Sequence, residues 1–234
     1  MKKFIAMLLV LVMAMSFAAC GASEPAFDPL QKAEGTMTYA EYAAAALESP
    51  VVVECFVQGN QSWWDNKITV YAQDPDGAYF LYEMACSEED AAKLVKGTKI
   101  KVTGYKAEWS GELEIIDSTF EILEGNWVAE AQDVTELLGS DELINHQNKF
   151  VSFKGLTVEN IEYKNGEPGD DIYVTFGYNG ASYDFCVERY LTGPETEVYA
   201  AVGALKAGDV VNVEGFLYWY EGMNPHVTSI AIAE

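Results

Sequence analysis

The chain has 234 residues, half of them apolar and 13% aromatic, and carries a formal charge of -23 at pH 7. An apolar content of this size can bury a core, which excludes disorder as the main state. The acidity extends through both halves and supplies solubility. It leaves no stripe of Lys and Arg to displace the counterions of a phosphate backbone, so no nucleic-acid partner is expected.

The chain opens with "MKKFIAMLLVLVMAMSFAAC". Two lysines precede an apolar run from Phe4 to Phe17, then small residues and Cys20. Residues 1–19 read as a secretory signal peptide, too short to remain as a membrane span. The segment "FAAC" resembles the lipobox of bacterial lipoproteins, a resemblance that implies a diacylglycerol on Cys20. Residues 20–36, "CGASEPAFDPLQKAEGT", with their small residues, proline and charge, read as a flexible tether. The expected address is the outer side of the bacterial cytoplasmic membrane, or the outer membrane in a diderm host, with the lipid as the only membrane contact.

Two domains are expected beyond the tether, 37–125 and 126–234. "GTKIKVTGYKAEWSG" and "GDVVNVEGFLYWYEG" match Gly97 with Gly208, Gly104 with Gly215 and Gly111 with Gly222 at one constant offset. A domain-sized offset signals tandem duplication. In the first unit a short helix is predicted in "TYAEYAAAALE", with Thr38 and Glu41 at capping-box spacing. Val51, Val53, Cys55 and Val57 fall on one face of a strand; "KITVYAQ" and "AYFLYEM" flank the turn "DPDG". "SEEDAAKLVKG" predicts a helix capped by Ser87 and ended at Gly97, followed by two alternating strands around Ser110-Gly111. The second unit repeats the order. "DVTELLGSDELI" is its lead-in helix, with Asp133 and Glu136 at capping-box spacing, and "GPETEVYAAVGALKAG" its internal helix, with Pro194 early in it after Thr192.

A mostly β chain is therefore expected, with two tandem OB-fold barrels of five strands, a helix between strands 3 and 4, and a lead-in helix each. With its lipobox and strand order the chain resembles the bacterial tandem OB-fold lipoproteins, a family whose function is largely undescribed; the resemblance implies a fold and an address but no activity.

OB-folds bind on strands 2 and 3 and the adjoining loops. There this sequence places Trp63, Trp64, Tyr71, Tyr79 and Trp109 in the first unit and Tyr173, Tyr178, Tyr218, Trp219 and Tyr220 in the second. Flat rings lose little entropy on stacking, so these ten are the candidate ligand contacts. Alternation puts Trp219 opposite to Tyr218 and Tyr220, and Lys99 with Lys101 on an exposed face. Cys55, Cys86 and Cys186 are an odd set that reads as buried thiols, a Cys55–Cys86 bridge being the alternative. His146 and His226 lie in no pairing with a nucleophile. Asp74–Gly77 and Asn165–Asp171 have calcium-like oxygens but lack the further bidentate acid, and no metal or cofactor is expected. The expectation is a non-enzymatic binding or adaptor protein for a saccharide, peptide or envelope partner. The alternative is a carboxylate-dependent hydrolase, or an accessory subunit of an envelope enzyme.

Overall fold

The computed structural model describes residues 27–233. The signal peptide and Cys20 lie outside the described residues. No helix among the described residues is long and apolar enough to cross a membrane.

The first half forms a closed five-stranded barrel. Strands β1 (Pro50–Asn60), β2 (Lys67–Gln73), β3 (Ala78–Ala85), β4 (Thr98–Trp109) and β5 (Glu112–Asn126) close in the order β1-β2-β3-β5-β4. Val51, Val53, Cys55 and Val57 share the inward face, as their alternation predicts, and are almost completely buried. The β2–β3 turn is tied by Asp74, whose Oδ1 accepts from the amides of Asp76 and Gly77. The β4–β5 turn has φ of 50° at Ser110 and 92° at Gly111, the mirror-image geometry that suits tight hairpins. The ring closes across β3 and β5, where only Phe80 pairs with Glu114 and Leu81 with Ile115. Bulges flank that seam, with Glu83 and Asp117 both at positive φ.

Helix α1 (Tyr39–Ala44) has the capping box formed by Thr38 and Glu41. It buries Tyr42 in the barrel core. Lys106 reaches its far end, donating from Nζ to the carbonyls of Tyr42, Ala43 and Ala45. Helix α2 (Glu88–Ala91) is a single turn capped by Ser87. Within the segment read as a tether, residues 27–36 pack on the barrel. Phe27 meets Phe56 edge to face at 5.9 Å, and Lys32 pairs with Asp74.

The second half contains β6 (Gln132–Asp133), β7 (Phe150–Tyr163), β8 (Ile172–Tyr178), β9 (Ala181–Val187), α3 (Glu197–Ala204), β10 (Val210–Phe216) and β11 (His226–Ile232). They form a sheet in the order β10-β11-β9-β8-β7-β6, and β10 also pairs with β7. Its own core gathers Phe153, Phe176, Phe185, Leu156 and neighbouring valines.

Several local expectations are corrected. The lead-in helix over "DVTELLGSDELI" is instead two 3-10 turns, Thr135–Leu137 and Leu143–His146. Asp133 accepts from the amide and hydroxyl of Thr135 next to it, so its carboxylate serves a tight turn and not a capping box. Helix α3 starts at Glu197 with Thr196 as its cap, leaving Pro194 in the preceding turn. Tyr218, Trp219 and Tyr220 follow the end of β10, so strand alternation does not govern them. Lys99 is buried against Glu54 at 2.8 Å, because the 27–36 segment covers what would otherwise be an open face.

Matched glycines do matched work. Gly97 and Gly208 have φ of 93° and 95°, each just before a strand, a conformation that side chains disfavour. Gly104 and Gly215 both sit where added carbon would strike the neighbouring strand, at 2.8 Å from Ile116 O and 2.2 Å from His226 O.

Candidate functional site

The two halves meet through a third apolar cluster of Tyr71, Phe80, Ala129, Phe150 and Phe216. Tyr71 stacks on Phe216 with ring centroids 4.4 Å apart and planes within 12°. Its hydroxyl lies 2.6 Å from Nδ1 of His226, also buried. Burial pushes His226 down to about 3, so the ring is neutral and shares this hydrogen bond with the tyrosine hydroxyl. Phe80 reaches Tyr218 at 5.2 Å, and Tyr218 stacks on His226 at 4.4 Å.

Beside this junction opens a cleft of about 300 Å³ lined by Gln61, Ser62, Trp64, Lys67, Ile68, Thr69, Glu83 and Tyr190. Its two large rings come from different halves. Trp64 opens a two-residue turn in which Asp65 and Asn66 both take positive φ, with Trp64 and Lys67 exchanging backbone hydrogen bonds. That turn leaves Trp64 68% exposed. Tyr190, 53% exposed, is held from below by the Glu188 carboxylate, which accepts from the amides of Tyr190 and Leu191 at 3.0 and 2.9 Å. Ser62 fixes the spacing, donating from its amide to the Tyr190 carbonyl at 2.8 Å. Arg189 lies 5.0 Å from the centre of the Tyr190 ring, and Lys67 pairs with Glu83 at 2.7 Å on the opposite wall. The cleft therefore offers two exposed π-faces on pinned backbone, with amide and hydroxyl groups between them and charges of both signs at the rim.

The ten predicted contacts do not form one surface. Tyr71 and Tyr79 are corrected to core residues: Tyr71 belongs to the junction, and Tyr79 donates to Asp74 at 3.0 Å inside the barrel. Trp63 turns inward and donates from Nε1 to the Cys86 carbonyl at 2.9 Å, leaving Trp64 as the platform of that pair. Trp219 packs over Gly111 and donates its amide to Glu112. Tyr178 donates to Glu136, while Trp109, Tyr173 and Tyr220 are exposed away from the lining of this cleft. Sequence reasoning missed Tyr190, which lies after β9 in a loop outside the usual binding elements; an aromatic next to arginine in a turn was its only signal. Cys55, Cys86 and Cys186 are buried free thiols. Among the described residues no cluster of three acidic, histidine or cysteine side chains could hold a metal.

No protein-family model matches the chain. No curated protein matches it. Among solved structures it is similar to a murine DNA-binding protein bound with double-stranded DNA, with a TM-score of 0.38 and 12% identity over 80% of this chain and 97% of that one. It is similar also to the Ifi202 HINa domain in complex with a 20-bp duplex, at 0.36 and 12% over 79% and 96%. A third is p202 HIN1 with a 12-mer duplex, at 0.35 and 12% over 88% and 100%. At these scores and identities the similarity says nothing about individual residues. Each of these three structures is of a complex with double-stranded DNA, and none is of a complex with a saccharide or peptide. The sequence-based expectations of a saccharide, peptide or envelope adaptor, and of no nucleic acid, are corrected accordingly.

Proposed function

We propose that the chain is a non-catalytic binding protein whose cleft takes a planar nitrogen heterocycle: a nucleobase, presented by a nucleotide or by an unstacked single strand. The observation that carries this reading is the pair of exposed rings, Trp64 and Tyr190, brought from the two halves to one cleft. A base has two π-faces and a polar edge. The rings suit the faces, and Gln61, Ser62 and Thr69 suit the edge. Charge favours a single base over a duplex. Lys32, Lys67, Lys93, Lys99, Lys154, Lys164 and Arg189 all stand within 4.0 Å of a carboxylate, which leaves few cations free for a phosphate track. Absence of catalysis is supported by His226, whose imidazole is committed to Tyr71.

We read the second sheet as a second OB-fold. The β10–β7 pairing and the matched glycines support a tandem arrangement, with the junction cluster holding the two units as one body. The resemblance to tandem OB-fold lipoproteins and the Cys20 anchor complete the proposal, which puts the cleft outside the cytoplasm.

The test is tryptophan fluorescence of the soluble mature chain, titrated with an octathymidylate strand, a mononucleotide and a 12-bp duplex. Quenching by the strand is expected, with weaker response to the duplex. Trp64→Ala and Tyr190→Ala should each weaken binding roughly 5- to 150-fold, the stacking energy of about 1–3 kcal/mol per base. No binding by any probe, or equal binding by both variants and the parent, would overturn the reading.

A further inference from the structure

The β4–β5 turn is gripped by the second half through a set of hydrogen bonds centred on Glu112, which is fully buried. Its Oε2 accepts from the Trp219 amide at 2.8 Å and from Nε2 of Gln147 at 3.3 Å. The same Gln147 Nε2 donates to the Gly111 carbonyl at 2.7 Å, Asn148 Nδ2 donates to the Leu113 carbonyl at 3.0 Å, and the Glu221 amide donates to the Ser110 carbonyl at 2.7 Å. Two oxygens are left over. Glu112 Oε1 and Asn148 Oδ1 are both buried without a partner. The Asn148 side chain lies beside the Glu112 carboxyl, with its Nδ2 donating to the Leu113 carbonyl and its Oδ1 left without a donor. Two acceptors cannot satisfy each other, and each orphaned polar atom in an interior is costly. One proton between them satisfies both.

We propose that the junction is a proton latch: Glu112 is held as the neutral acid, its Oε1 hydroxyl donating to Asn148 Oδ1, and loss of that proton releases the 217–221 loop from the β4–β5 turn. The electrostatics agree. Glu114 is the nearest like charge, two residues along β5 on the same face. Tyr218 from the loop and Tyr42 from α1 face the carboxyl, Gln147 and Asn148 bring no charge, and among the described residues no lysine or arginine pairs with it. Burial pushes Glu112 up from 4.5 to about 8, and burial likewise pushes Glu114 up to about 6. The closed form thus holds a proton that the opened, solvated form has lost, so closure is favoured at low pH and weakens as pH rises from about 4.5 to about 8. The latch does not depend on what the cleft binds, although it fixes the two halves that form the cleft.

Hydrogen exchange at the Trp219 amide, corrected for the intrinsic pH dependence of exchange, tests the latch in the whole chain. The opening constant of the parent should rise by up to tenfold per pH unit between pH 5 and 8. Glu112→Gln mimics the neutral acid, its carbonyl accepting from Trp219 and its amide donating to Asn148, and should stay closed across that range. Because the variant retains Glu114, the difference isolates Glu112. Carbon-13 NMR of the parent's Glu112 carboxyl supplies a readout that needs no variant, and at pH 6 it should report the neutral acid. A carboxylate signal at pH 6, or the same pH dependence of Trp219 exchange in parent and variant, would overturn the proposal.

Discussion

Phe216→Ala isolates the energy that couples the two halves. The ring is almost fully buried, stacks on Tyr71 at 4.4 Å, meets Phe150 at 5.6 Å, and presses on Gly59, where an added carbon would lie only 2.9 Å from it. With a partner on each side the site has little room to collapse, so the loss should lie near the upper end for phenylalanine truncation, about 3–5 kcal/mol. About 0.5–1.5 kcal/mol of this belongs to the pairing with Tyr71 beyond simple burial. A double-mutant cycle with Tyr71→Ala should recover that share as a coupling energy. The assay is guanidinium denaturation followed by tryptophan fluorescence and by far-ultraviolet circular dichroism. In the variant the two signals should cease to coincide, because each half keeps its own core while the contact between them fails. A loss below about 1 kcal/mol, or singles that add without coupling, would refute the claim that this cluster joins the halves.

Two further outcomes are expected. The three buried thiols should resist a thiol reagent at pH 8 in the folded protein and react fully in denaturant, since burial pushes Cys55 and Cys186 well above the usual thiol range; rapid labelling of folded protein would contradict this. Cys20→Ser should shift the protein from the membrane fraction to the soluble fraction of expressing cells, and unchanged retention would remove the lipid anchor from the proposal.

What the sequence could and could not disclose follows from the range of each signal. Local signals were legible. The Thr38–Glu41 capping box, the Asp74–Gly77 turn and the Ser110-Gly111 hairpin each depend on residues a few positions apart, and each stands as read. The fate of Tyr71 was not legible. Alternation assigns a residue to a face of its strand, and only the docking of the second half decides that the outer face of β2 is covered as well. The same applies to Lys99, buried by a segment nearly 70 positions earlier in the chain. The "DVTELLGSDELI" stretch failed for the opposite reason: its spacing suited a helix, but Asp133 also lies in β6, paired with Ser152, and its carboxylate serves Thr135. The cleft was half legible, through Trp64; Tyr190 joins it only by tertiary contact.

The seam between β3 and β5 has its own consequence. With so few main-chain bonds across it, the circle is completed chiefly by side chains meeting inside. A thinly bonded seam is where a foreign extended segment would slot in and seed polymerisation. Here the left-handed Glu83 and Asp117 skew both lips, and the Thr69 hydroxyl takes up the Glu83 amide, so an intruder finds neither a flat bed nor a full row of donors. The twist of the rim in this way guards the seam against strand addition, without need of a covering element.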